Sequence, residues 1–312
     1  MLKMKSLTLF IILAIMLAPL MAIKLDSANP DLSEKAMKKM INEKLKDLKK
    51  WNVKKIIIMD CTGEYTVGKT VAPGSWEGKD LSEYEKKDKI RSTEMTFNQE
   101  FCVELTSQLM DSTIAMFNRS GFEVLPMDSW KNHPVYLEML KLMQDYDESQ
   151  GTNYGMISQT VTTRTIKVPA YGLRVVPDNV FKMIKFEKIK TQDKGKILED
   201  IGADAFCNIA VKVDYDVNYK PFITKLDLFF ETGMKKYDMG TKDKDGNKVY
   251  MYSLTANPYI AVKDILEYQA SALGASKLLD TNLYGKAVTD MQNYILNFFS
   301  IKLKAIRAEY KE

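Results

Sequence analysis

Eight residues of this chain have the spacing that grips a phosphate. Gly63-Glu64-Tyr65-Thr66-Val67-Gly68-Lys69-Thr70 reads G-x-x-x-x-G-K-T and follows the apolar run Ile56-Ile57-Ile58-Met59. In a P-loop the backbone N–H groups of the glycine turn cradle phosphates, the lysine reaches the terminal ones, and the threonine hydroxyl holds magnesium. On that reading Gly63, Gly68, Lys69 and Thr70 bind a nucleotide, with Lys69 on phosphate and Thr70 on a metal. The residues that follow argue the other way. A P-loop lysine and threonine open a helix whose N-terminus faces the phosphates, whereas Val71-Ala72-Pro73-Gly74-Ser75 breaks a helix within one turn. At Val213-Asp214 the apolar run that would carry a magnesium aspartate is interrupted by Lys212.

Other residue types with chemical potential are sparse. His133, the single histidine, precedes Pro134 among polar residues, and a surface turn is the reading its neighbours support. With no second imidazole, triads and multi-histidine metal sites are restricted to this one residue. Asp214 and Asp216 alternate along a β-like segment and would share a face, where like charge could raise one pKa as in an acid–base pair; the bland reading is the solvent side of a sheet. Asp243-Lys244-Asp245-Gly246-Asn247 alternates oxygen ligands as a calcium loop does, but the glutamate required near Leu254 is missing, so a hairpin turn is expected. Cys61, Cys102 and Cys207 are odd in number and widely spaced, which suits buried apolar side chains better than a zinc site. A Cys61–Cys207 bridge is the minority alternative. No catalytic residue, cofactor or metal is assigned.

The elements that must position these residues can be read from periodicity. Lys3 and Lys5 precede an apolar stretch from Leu7 to Leu20, and Ala18-Pro19-Leu20-Met21-Ala22 offers a cut after Ala22. This predicts a signal peptide over residues 1–22, and with no cysteine near the cut, no lipid anchor. Lys3 and Lys5 account for two of the formal charge of +4, leaving +2, too near neutrality for a nucleic-acid footprint. No transmembrane segment is expected after cleavage.

Residues 23–52 read as a leader and an amphipathic helix, with Met37, Met40, Ile41, Leu45, Leu48 and Trp51 at helical spacing. Residues 53–312 read as a single α/β domain with long C-terminal helices. Ile56 to Asp60 predicts a buried strand, Thr62 to Thr96 a long polar loop, Phe97 to Arg119 a helix stopped by Gly121, and Phe122 to Leu125 a second strand, making a βαβ unit. A helix follows over about Ser129 to Asp147, then extended chain from Ile157 to Val176 and a helix from Lys188 to Ile201. Strands are predicted over Ala205 to Tyr215, Ile223 to Tyr237 and Lys248 to Thr255, and helix from Pro258 onward, including Tyr268 to Leu279 and Gly285 to Tyr310. The fold class is α/β: a mixed sheet with a parallel βαβ start and antiparallel later strands, helices packed on it.

Ile56 to Asp60, the helix Phe97 to Arg119, Gly121-Phe122-Glu123-Val124-Leu125 and the junction Ile201-Gly202-Ala203-Asp204-Ala205 together resemble the envelope-protein superfamily of the curli-export lipoprotein, the penicillin-binding-protein activators and the amino-terminal domain of the Tol β-propeller protein. The resemblance covers roughly Val53 to Thr255 and implies an anticodon-binding-like fold that binds partners without doing chemistry. The chain departs from the lipoprotein members in lacking an attachment cysteine. The resulting expectation is a secreted or periplasmic, non-enzymatic protein that contacts envelope proteins. The alternatives are a nucleotide-binding or hydrolysing protein built on Gly63 to Thr70, and a surface-assembly component forming homo-oligomers.

Overall fold

The computed structural model describes residues 23–25, 33–73, 91–95, 97–154, 159–176, 180–216, 219–263, 265–268 and 281–310. The expected signal peptide and the expected helix after Tyr268 lie outside the described residues. Among them the strands are β1 (Ile23–Leu25), β2 (Ile41–Lys44), β3 (Lys55–Pro73), β4 (Arg91–Glu94), β5 (Glu123–Val124), β6 (Asp147–Tyr154), β7 (Gln159–Pro169), β8 (Ala205–Tyr215), β9 (Pro221–Lys242), β10 (Lys248–Ala256), β11 (Tyr259–Val262) and β12 (Leu266–Tyr268). The helices are α1 (Glu34–Met40), α2 (Lys46–Lys50), α3 (Gln99–Arg119), α4 (Pro134–Leu140), α5 (Val180–Ile201) and α6 (Thr281–Ala308). No helix among the described residues is long and apolar enough to cross a membrane.

The fold is α/β with one large mixed sheet, as the sequence predicts. Its main path runs β1-β12-β9-β8-β3-β7-β6. The βαβ start is present: β3 runs through α3 to β5, which lies parallel to it with Ile56 beside Val124. β8 is also parallel to β3, and the later strands β8, β9 and β10 are antiparallel. Alternation explains which face is buried. Ile209, Val211, Val213 and Tyr215 of β8 and Leu226, Leu228 and Phe230 of β9 are nearly inaccessible; α3 and α6 pack against each other and over this face. The helix α3 starts where the Asn98 side chain accepts from the Phe101 N–H, and it ends before Gly121, whose φ of +85° suits a residue without Cβ. On the opposite face α4 and α5 cover one end of the sheet.

Several expectations need correction. The predicted loop from Thr62 is strand as far as Pro73, because β3 gains partners on both sides: β7 and β8 at Thr62 to Tyr65, then β7 and β4 from Gly68 to Val71. The amphipathic helix of residues 35–51 is broken into α1 and α2 by β2, whose backbone pairs with β11; Met40, Ile41, Leu45 and Leu48 are buried all the same. The helix expected to reach Asp147 stops at Leu140, and β6 begins at Asp147. Residues 259–262 and 266–268 are strand and not helix, because β11 fits between β9 and β2 and β12 between β1 and β9; the expected final helix is present as α6.

Gly63 sets how closely α3 approaches β3. A Cβ there would lie 2.3 Å from Thr106 Oγ1 and 2.5 Å from the Tyr65 ring, well inside van der Waals contact. Gly63→Ala is therefore expected to destabilise the fold by roughly 1–3 kcal/mol, the usual cost of overpacking. Urea unfolding measures this, and an unchanged midpoint would show that α3 can move away freely.

Candidate functional site

The phosphate-cradle reading of Gly63, Gly68, Lys69 and Thr70 is corrected by where these residues lie. All four sit along β3, spread in a line instead of converging on a point, with their backbone in ladders. Gly63 admits α3, and Gly68 sits at a register shift opposite Arg164. The Lys69 ammonium donates to Asp214 Oδ1 at 2.7 Å and to the Tyr215 carbonyl at 2.5 Å, and it lies 4.8 Å from the centre of the Tyr215 ring. Thr70 Oγ1 meets Ser92 Oγ at 3.1 Å. Lysine and threonine thus serve the sheet.

The remaining candidates are also engaged. Asp214 pairs with Lys69, while Asp216 Oδ1 accepts from the Lys220 N–H at 2.9 Å in the β8–β9 turn, so the two carboxylates do separate work. Asp243 accepts from the N–H groups of Asp245 and Asn247, and Gly246 has φ +83°, which makes this the expected hairpin turn. Among the described residues no cluster of histidine, cysteine and carboxylate side chains could hold a metal. Cys61, Cys102 and Cys207 are free and buried, so the bridge between Cys61 and Cys207 is not formed. Burial pushes the Cys61 and Cys207 thiols far above the ordinary range and Cys102 up to about 12, leaving them protonated and poor nucleophiles. His133 is not a solvent-facing turn residue: its side chain is only 9% exposed. Its Nδ1 accepts from the Val135 N–H, capping α4, and its Nε2 lies 2.9 Å from Asp200 Oδ2.

Two features escaped the sequence reading. The first is a polar cluster buried between the sheet and the helices α4 and α5. Lys194 of α5, 1% exposed, is ion-paired with Glu231 of β9 and lies 4.3 Å from the centre of the Phe206 ring. Lys194, Asp60, Asn208 and Tyr136 line a cavity of about 30 Å³ together with Met139 and Met143. That volume admits a water-sized guest and excludes a nucleotide. Burial, with the Asp60 charge nearby, pushes the Tyr136 phenol up to about 12, so the phenol is neutral, and its buried hydroxyl has no hydrogen-bond partner among the described residues. Lys194 is one of many lysines in α5, and nothing in local spacing distinguishes the one that turns inward.

The second feature is an arm. Thr232 pairs with Ala205 of β8 on one side and Ala256 of β10 on the other. Beyond it β9 continues with β10 alone, and residues 235–248 are exposed, a reach of about 30 Å at the rise of a strand. One face of the arm's base rests on α5: Tyr252 donates to Glu199 Oε2 at 2.6 Å and Lys236 to Glu199 Oε1 at 3.0 Å. Alternation turns Lys235, Tyr237 and Met239 to the other face, where Met251 lies directly across from Tyr237. Tyr237, Met239 and Met251 are 43%, 49% and 36% exposed.

Lys194→Met is expected to cost about 3–5 kcal/mol, because it leaves Glu231 buried without its counter-charge, whereas Lys194→Met combined with Glu231→Leu should recover most of that loss. Chemical denaturation of the four forms of this cycle measures the coupling. Additive losses would mean that the pair contributes independently and the cluster is not a unit.

No protein-family model, curated protein or solved structure matches this chain, so its function has to be argued from its own surfaces and buried groups.

Proposed function

We propose that this is an exported, non-enzymatic protein of the bacterial envelope that works by contact with another protein through the β9–β10 arm. The observation that carries the reading is the outer face of that arm. Tyr237, Met239 and Met251 stand together on a two-stranded projection whose other face rests on α5. Fold stability does not explain them: they leave much apolar surface in water, and aromatic residues and methionine are the types enriched where proteins meet. Covering each would contribute on the order of 1 kcal/mol. Export is supported by Lys3, Lys5 and the apolar stretch Leu7 to Leu20, and contact without chemistry agrees with the envelope-superfamily resemblance of Ile56 to Asp60, Phe97 to Arg119 and Gly121 to Leu125.

A photo-crosslinking residue placed at Tyr237 in cells, with one at Leu137 as an exposed control on α4, tests this. The expected result is a discrete adduct with one envelope protein from position 237 and none from 137. Equal or absent adducts at both positions, or turnover of a substrate abolished by one point mutation, would overturn the reading.

A further inference from the structure

In the parallel ladder of β3 and β8, Ile58 pairs with Cys207 and Asp60 with Asn208, so Met59 is an extra residue on β3. A shift of this kind re-aims the side chains beside it. Before it, Ile57 is the partner of Phe206, the ring that Lys194 covers; after it, Asp60 is the partner of Asn208. Met59 and Asp60 are neighbours that strict alternation sends to opposite faces, yet both line the cavity with Asn208, Tyr136 and Lys194. One residue further on, the Cys61 thiol reaches the Thr106 carbonyl of α3. The register shift therefore turns a carboxylate toward α4 while the apolar face continues beyond it.

Tyr136 lines the same cavity from α4. It is 2% exposed, and its ring is held edge-on against Trp130 with 4.8 Å between centres. Its hydroxyl has no hydrogen-bond partner among the described residues, an expensive condition for a buried donor. The Asp60 charge acts on this phenol, but no hydrogen bond joins the two.

We infer that this cavity is a binding site for one internal water, which accepts a hydrogen bond from the Tyr136 hydroxyl and donates to the Asp60 carboxylate and the Asn208 side-chain oxygen. Three partners are the usual number for a buried water, and the cavity is both polar and large enough to hold one. The lining selects a neutral guest. A cation meets the Lys194 ammonium on one wall, an anion meets the Asp60 carboxylate on another, and an apolar guest leaves the phenol unpaired. Bound there, the water joins α4 to the β3–β8 ladder through groups that do not reach each other directly. The site lies under the sheet's helices and is independent of the contact function proposed for the arm.

High-resolution crystal structures of the purified chain and of its Tyr136→Phe variant, with urea unfolding of both, test this. The expected result is a solvent peak about 3 Å from the Tyr136 hydroxyl and from the Asp60 carboxylate, weakened or displaced in the variant. Tyr136→Phe should also raise the unfolding constant roughly fivefold, the effect of losing one hydrogen bond. An empty cavity overturns the inference, as does a Tyr136 hydroxyl bonded directly to a protein group, or a peak with the short, many-oxygen coordination of a metal ion. A variant as stable as the parent, or more stable, also overturns it, because deleting an orphaned hydroxyl removes a desolvation cost and no bond.

Discussion

Backbone hydrogen bonding along β3 constrains everything else in this molecule. A peptide group withdrawn from water must find a partner, and Lys55–Pro73 finds partners through β5 and β8 at its start, β7 and β8 at its middle, and β7 and β4 toward its end. Once those groups are committed, the strand cannot curl into a phosphate-binding turn without breaking ladders on both sides. The same commitment fixes which side chains face α3 and which face α4 and α5, and so determines where the buried polar cluster can form.

The two faces of the sheet are used differently. Beneath α3 and α6 the contacts are apolar and close, with Gly63 allowing Thr106 to approach and Tyr65 bonding to the Thr106 hydroxyl at 3.0 Å. On the other face a lysine–glutamate pair and a neutral phenol sit under two helices. Such a pair contributes little net stability compared with well-packed apolar groups, but each partner is costly to lose alone. The cluster therefore ties the placement of α5 to β9. Because α5 also supports the base of the arm through Glu199, the register of the buried pair and the pose of the arm's outer face are mechanically linked.

Much of this fold was legible in the sequence wherever periodicity was strong and local. The long helix from Gln99, the alternation in β8, the β9–β10 hairpin and the parallel start were all predicted from spacing and turn residues. What was not legible depended on distant partners. Residues 62–73 look like a loop because Gly63, Glu64, Gly68, Lys69 and Pro73 are poor strand signals, yet tertiary pairing overrides propensity there. Residues 41–44 carry a helical stripe and become strand because β11 is available. The candidate site shows the same division: Gly63 to Thr70 matched a motif by spacing alone, while Lys194, Glu231, Asp60 and Tyr136 converge from segments far apart in the chain and leave no local signature.

Amide hydrogen exchange at Glu64 to Thr70 tests the commitment of β3 most directly. If these amides are held in ladders on both sides, they exchange only with the large openings of the core strands, and adding magnesium and ATP leaves their protection unchanged. Fast exchange in the free protein, or protection that appears only when the nucleotide is present, would contradict the account and return this segment to phosphate chemistry.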